Sequence, residues 1–381
     1  MSDITYNFPR AIHFGWGEAE NIAQRAESYG RNVLIVSDSG IVNAGLLKPI
    51  QDALEDASFS VTVYDKVQPN PTYLNVDEAT VLYKENGCDL ILGLGGGSPI
   101  DTAKGVLVMA NHTGDQHEYY RGTPNQKPIT ADVPPLIAVP TTSGTGTEVS
   151  RGAIITDKTN RKRSLGSVHL LPIMVILDPK LTTTMPKGLT AFTGLDALSH
   201  SVEAYAINRY SPMCDAYSEK GIQLISESLV KAYNDGSQQK PRMDMSMASC
   251  FGAMAFMKGL GVVHSLAHQL STQCNIPHGA ACGIMMPHAI RYNLIEEATH
   301  AKYEYIAKKL SGDNTATANN APDAIAHLLT TLNVSSKLSH WKVSDEDIEI
   351  MSENAMLDHC HPRNPVKCTR DTMRQLYKAA L

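Results

Sequence analysis

The sequence predicts an α/β N-terminal domain built on a parallel sheet, residues 1–185, followed by an all-α C-terminal domain, residues 186–381. Three observations predict it. Short continuous apolar runs recur through the first half, with the length and branched composition of strands buried on both faces. Segments of helical spacing separate them, and strands alternating with helices make a parallel sheet covered on both sides. After Met185-Pro186 the strand runs nearly vanish, and helical spacing continues to Leu381.

Residues 32–37 form the first buried strand, and Leu46, Leu47, Ile50 and Leu54 then share one helical face. Residues 59–64 alternate as a strand does. Asn70-Pro71 breaks the chain ahead of a helix over 73–85. Runs at 89–94, 136–139 and 173–177 complete the strand series. In the second half the spacing predicts helices at 191–205, 216–233, 244–256, 261–273, 303–310, 323–332 and 345–355.

Composition narrows the function. The 381 residues carry a net charge of −6, and the densest basic patch, Arg161-Lys162-Arg163, reads as a solvated turn, so no nucleic-acid partner is expected. Seven scattered cysteines form no Cys-x-x-Cys pair, which points to reduced thiols and a cytoplasmic location. The stretch Met1–Tyr6 carries no basic-then-apolar leader. No apolar run approaches the roughly 20 residues of a membrane span, so no membrane partner is expected.

The stretch 259–278 concentrates the chemistry. His264 and His268 stand four apart, one helical turn on the same face, and His278 follows Pro277 at a turn or helix start. Upstream, Asp196 and His200 repeat the spacing. Each histidine alone reads as a core imidazole bonded to a carbonyl. As a set, a carboxylate and several imidazoles on buried helices have the donors a divalent metal requires.

Three loops follow strands. Gly95-Gly96-Gly97-Ser98-Pro99-Ile100-Asp101 reads either as a capped turn, with Ser98 as N-cap and Asp101 completing a capping box, or as a phosphate cradle at a helix N-terminus. Thr141-Thr142-Ser143-Gly144-Thr145-Gly146-Thr147-Glu148 is a donor-rich ligand loop or a flexible surface loop. Asp38 caps the next helix or accepts hydrogen bonds from an adenosine ribose.

These segments, together with Asn70-Pro71-Thr72, Thr193–His200 and Asn364-Pro365, resemble the iron-containing group of metal-dependent alcohol dehydrogenases. The resemblance implies a dinucleotide-binding domain and a helical metal-binding domain in the dehydroquinate synthase-like fold, and hydride transfer between NAD(H) and a small primary alcohol or aldehyde. It implies one divalent metal, Fe2+ ahead of Zn2+, on Asp196, His200, His264 and His278. The resemblance also places His268 beside the nicotinamide and substrate rather than on the metal, a choice that spacing leaves open. Cofactor contacts fall to Asp38, Asn70, Gly96, Gly97, Ser98, Thr141, Thr142, Thr145 and Leu181. A homodimer or higher homo-oligomer is expected. The competing readings are a lyase or cyclase of the dehydroquinate synthase type, which wants a basic site for a phosphorylated substrate, and a non-catalytic nucleotide or metal sensor. Lys258 and Arg363 stand where they could offer charge to an anionic substrate tail, or simply be solvated surface charges.

Overall fold

Continuous apolar runs need neighbours on both faces, and the computed structural model, which describes residues 4–381, supplies them; Met1–Asp3, part of the Met1–Tyr6 stretch read above, lie outside the described residues. The strands are β1 (Ala11–Phe14), β2 (Asn32–Val36), β3 (Ser60–Tyr64), β4 (Leu90–Gly95), β5 (Leu136–Pro140), β6 (Gly152–Thr156), β7 (Lys162–Gly166) and β8 (Met174–Leu177). Six of them form one sheet in the order β1-β8-β5-β4-β2-β3. Every pairing in it is parallel. Alternate residues serve opposite faces: Leu34, Val36 and Ile91 enter one core, and Val33, Ile35, Leu90, Leu92 and Leu94 the other.

This strand order has one reversal. From β2 the chain moves outward to β3, then returns to β4 on the other side of β2. The carboxyl ends of β2 and β4 therefore flank a topological switch point, where open parallel sheets leave a crevice for ligands. The Ser37 hydroxyl donates to the Leu94 carbonyl at 2.9 Å and ties these two strand ends together.

Two parts of the sheet region were not anticipated. Strand β1 is only four residues long and pairs along one edge with β8. Strands β6 and β7 form an antiparallel hairpin. Its turn runs through Asn160, at φ +58°, so Arg161 lies at the turn as expected, but Lys162 and Arg163 belong to the strand.

Residues from Met185 on form a second compact unit, to which Ser143–Thr145 and residues 4–6 also belong; Asn7–Thr142 and Gly146–Thr184 form the first. Its core is helix on helix, centred on Leu195, Leu198, Leu229, Leu266 and Met285, all fully buried. Five helices matter for the site: Lys187–Ala206, Pro212–Asn234, Gln239–Ala255, Val262–Gln273 and His278–Asn293. The last was expected only as a turn or helix start, and it continues for 16 residues with Pro287 inside it. No single helix among the described residues is long and apolar enough to cross a membrane.

Gly279 fixes how closely two of these helices approach. A Cβ there would lie 1.8 Å from the Phe192 carbonyl oxygen, so only hydrogen fits. Replacing it, Gly279→Ala, is expected to cost at least the ~1–3 kcal/mol typical of overpacking and to lower the thermal unfolding midpoint. An unchanged midpoint would show that the contact relaxes freely.

Candidate functional site

Helical spacing builds the centre of the second unit. Asp196, His200 and Glu203 occupy positions i, i+4 and i+7 of Lys187–Ala206 and face the same way. His264 comes from the Val262–Gln273 helix, and His278 opens His278–Asn293. Asp196 Oδ1 lies 3.8 Å from His200 Nε2, 3.9 Å from His264 Nε2 and 3.4 Å from His278 Nε2. The His200 and His264 rings stack with centroids 4.7 Å apart. The structure therefore gathers all four residues read as metal ligands.

Each imidazole is prepared differently. Burial pulls the pKa of His200 down to about 4, so the ring is neutral at physiological pH, although Asp196 opposes that shift. Burial acts the same way on His264, but the Glu203 hydrogen bond and charge outweigh it and the net shift is upward. His264 Nδ1 lies 2.5 Å from Glu203 Oε2, and the same carboxylate accepts the backbone N–H groups of Val263 and His264. This leaves His264 Nε2 buried and, among the described residues, without a hydrogen-bond partner, 3.9 Å from Asp196 Oδ1. A buried nitrogen lone pair with no donor, beside a carboxylate oxygen and two further imidazoles, fits a divalent cation and fits little else. Sequence reading missed Glu203, although its seven-residue spacing from Asp196 was visible.

His268 belongs to a separate cluster. Its Nδ1 lies 2.8 Å from Asp358 Oδ2, while Asp358 Oδ1 accepts from the Ser265 hydroxyl at 2.7 Å and from Cys360 N–H at 2.9 Å. Burial alone would raise the Asp358 carboxyl, but His268 beside it, with His359 and the Cys360 N–H, holds it well below the usual carboxylate range. His268 also stacks on His278, centroids 5.3 Å apart. Asp358 was not singled out in the sequence, although the polar run His359-Cys360-His361 marks its neighbourhood.

In the first unit the cofactor candidates partly converge. Gly95 adopts φ +149°, and a Cβ there would meet Pro99 at 2.5 Å, so the turn out of β4 requires glycine. Gly96, not Ser98, is the N-cap of the Gly97–Asn111 helix, and no side chain caps it. The expected capping box is absent because its members are engaged elsewhere. The Ser98 hydroxyl donates to the Pro69 carbonyl at 2.6 Å, and Asp101 accepts from Thr147 Oγ1 at 2.5 Å and Ile154 N at 2.9 Å. The first N–H groups of a 15-residue helix are thus left for an anion, beside partly exposed Gly96, Gly97 and Ser98. Thr141 sits against this turn, its N–H donating to Gly95 O at 2.9 Å, and among the described residues its buried hydroxyl has no partner. Thr142 lies 3.2 Å from the position of a Gly96 Cβ.

Asp38 stands across the switch point at the end of β2. Its Oδ1 caps the following short helix through Ile41 N at 3.0 Å. Capping and ribose binding were alternatives for this residue; the cap forms and engages one carboxylate oxygen. Asn70 is exposed, and Leu181 packs half-buried against the sheet core. Thr145 groups with the second unit, apart from Thr141 and Thr142.

The charge offered for an anionic tail is corrected by half. Lys258 is fully buried and its Nζ lies 2.5 Å from Asp215 Oδ1, so its charge is neutralised inside the helical unit. Arg363 is exposed.

The Glu203–His264 hydrogen bond yields a direct test. Glu203→Gln is expected to weaken metal binding by about 10–100-fold, the usual effect of removing a carboxylate that orients a ligand histidine. Competition with a chelator measures it, and wild-type affinity in the variant would remove Glu203 from the site.

Comparison with known proteins agrees with this geometry. The description "Iron-containing alcohol dehydrogenase" matches residues 9–179, and "Fe-containing alcohol dehydrogenase family, C-terminal" matches residues 190–381. Alcohol dehydrogenase 4 of Schizosaccharomyces pombe is 36% identical, covering 100% of this chain and 90% of its own. The NAD-dependent methanol dehydrogenase of Bacillus methanolicus is 33% identical and covers 98% of both chains. A solved 1,3-propanediol oxidoreductase superposes over 100% of both chains with a TM-score of 0.94 and 33% identity. Family matches over both units and identities above 30% across the whole chain leave one conclusion: the chain belongs to the iron-containing alcohol dehydrogenase family, the metal-dependent alcohol dehydrogenases.

Proposed function

We propose that this dehydrogenase moves hydride between NAD(H) and a small primary alcohol or its aldehyde, with Fe2+ held by Asp196, His200, His264 and His278. The observation that carries the metal assignment is the unpartnered, buried His264 Nε2 among the donors around Asp196. When bound, a divalent metal supplies Lewis acidity towards a substrate oxygen. Oxygen and imidazole donors suit iron or zinc, and iron is preferred here from the family's description. The relatives named for methanol and 1,3-propanediol support a small alcohol; one relative is named for 4-hydroxybutyrate, while burial of Lys258 removes one reason to expect an anionic tail.

The protein's own residues prepare the rest. Asp358, an acceptor, fixes the His268 proton on Nδ1 and leaves Nε2 as the atom that takes up or releases a proton. The uncapped helix N-terminus at Gly96-Gly97-Ser98 would hold the cofactor's pyrophosphate, with Thr141 as a further contact, and the Asp38 carboxylate would accept from its ribose. The relative named as NAD-dependent supports the same cofactor. Nicotinamide absorbance followed with a panel of small alcohols and aldehydes, with and without chelator, tests the reading; cofactor binding without turnover on any of them would overturn it.

Two variants separate the assigned roles. His268→Ala is expected to retain stoichiometric metal while turnover falls by roughly 10²-fold, within the range of lost acid–base assistance. Loss of metal instead would place His268 among the ligands. Asp38→Gly is expected to gain relative activity with NADP(H), mainly through KM. A hydrogen bond to a charged group contributes about 1.5–3 kcal/mol, and a 2′-phosphate would meet like charge at Asp38. An unchanged cofactor ratio would show that Asp38 serves only as a helix cap.

A further inference from the structure

The donors around Asp196 include one that neither the proposed ligand set nor the family resemblance assigns. Cys282 follows His278 by four residues on the His278–Asn293 helix, so both side chains rise from the same face. Its thiol is fully buried. Cys282 Sγ lies 3.7 Å from His278 Nε2 and 4.0 Å from Asp196 Oδ1. One ligand atom each from Asp196, His264, His278 and Cys282 all fall within 4.8 Å of one another. Asp196 Oδ1 lies 3.4 Å from His278 Nε2 and 3.9 Å from His264 Nε2, and these separations, with those of Cys282, are ones that a small ion between the donors can close with bonds near 2.0–2.3 Å. The observation that lifts this above a buried cysteine is the His264 Nε2 lone pair. It is buried, has no hydrogen-bond partner and belongs to the same group of four.

We infer that Cys282 is a fifth donor at this centre and ligates a zinc ion bound there. The inference rests on the metal site proposed above and deepens it. In the ligation step the S–H bond breaks, a sulfur–zinc bond forms and the proton is released to solvent; no electron is transferred. The consequence is a site with two characters. Asp196, His200, His264 and His278 form an oxygen and nitrogen set, which serves Fe2+. With Cys282 the set gains a soft sulfur, which favours Zn2+. Engagement of the sulfur then tilts towards zinc a centre whose other donors suit either metal.

X-ray absorption at the zinc edge on the full-length protein reconstituted with zinc tests the inference. A sulfur neighbour at about 2.3 Å, beside nitrogen and oxygen neighbours at about 2.0–2.1 Å, is expected. That shell is expected to disappear in Cys282→Ser with zinc still bound. Cys282→Ala serves the same purpose should the serine variant misfold. Cobalt-loaded protein gives a second readout, a thiolate-to-cobalt charge-transfer band present in the wild type and absent from both variants. Stoichiometric zinc with only nitrogen and oxygen neighbours in the wild type would overturn the role of Cys282 and leave the metal site standing. Failure of the wild type to bind zinc, cobalt or iron at all would overturn the metal site and the inference with it. A sulfur shell that survives in both variants would assign the sulfur to another residue and overturn the inference.

Discussion

Two carboxylates buried on one helix set the terms for the whole helical unit. Asp196 and Glu203 expose only 5% and 6% of their side chains, and an unpaired buried charge costs several kcal/mol. Glu203 meets that cost locally, through His264 and two backbone N–H groups. Asp196 has no comparable partner; it is ringed by imidazole nitrogens, of which the His264 one has no hydrogen bond of its own. The first carboxylate is satisfied by hydrogen bonds, and the second sits among imidazole nitrogens as one donor of a candidate metal site. The packing of three helices to ångström tolerance, including the bare Gly279 against Phe192, serves to hold that unbalanced arrangement in place.

The strands were legible because burial on both faces writes itself into the sequence as unbroken apolar runs. The five expected strands each lie within a residue or two of β2, β3, β4, β5 and β8. Strand β1 escaped because its four residues on a sheet edge, three half-exposed and Phe14 exposed, carry no such run. The β6–β7 hairpin escaped because Lys162, Arg163 and Ser164 lie on a half-exposed ribbon, where charge is tolerated. Pro287 hid the length of the helix that begins at His278. Proline is costly in an isolated helix, yet neighbouring helices bury this one almost entirely, so tertiary packing overrides local preference.

The site was legible one helix at a time and not across helices. Spacing of four found Asp196 with His200 and His264 with His268, but spacing cannot say which histidines turn to a common point. The structure divides the second pair: His264 faces Asp196 and His268 faces Asp358, on a segment ninety residues further along. Contacts of that kind leave no local signature. The same reason explains Ser98 and Lys258. Each followed a local pattern, and each was claimed by a partner remote in the chain, the Pro69 carbonyl and Asp215.

The position of β1 has a consequence for how the molecule comes to exist. Among the described residues Ala11–Phe14 pairs only with Met174–Leu177, so the strand of this sheet that is made earliest is the one whose partner is made last. No hairpin can shelter it meanwhile, because parallel strands need long crossovers. During synthesis this edge waits until nearly the whole first unit has emerged, and β8 must then insert between β1 and β5. Pairings of such sequence separation close slowly, and until they do the unfinished sheet presents open strand edges to other chains. The half-exposed character of β1, which hid it from sequence reading, suits a strand that spends its early life unpaired in water.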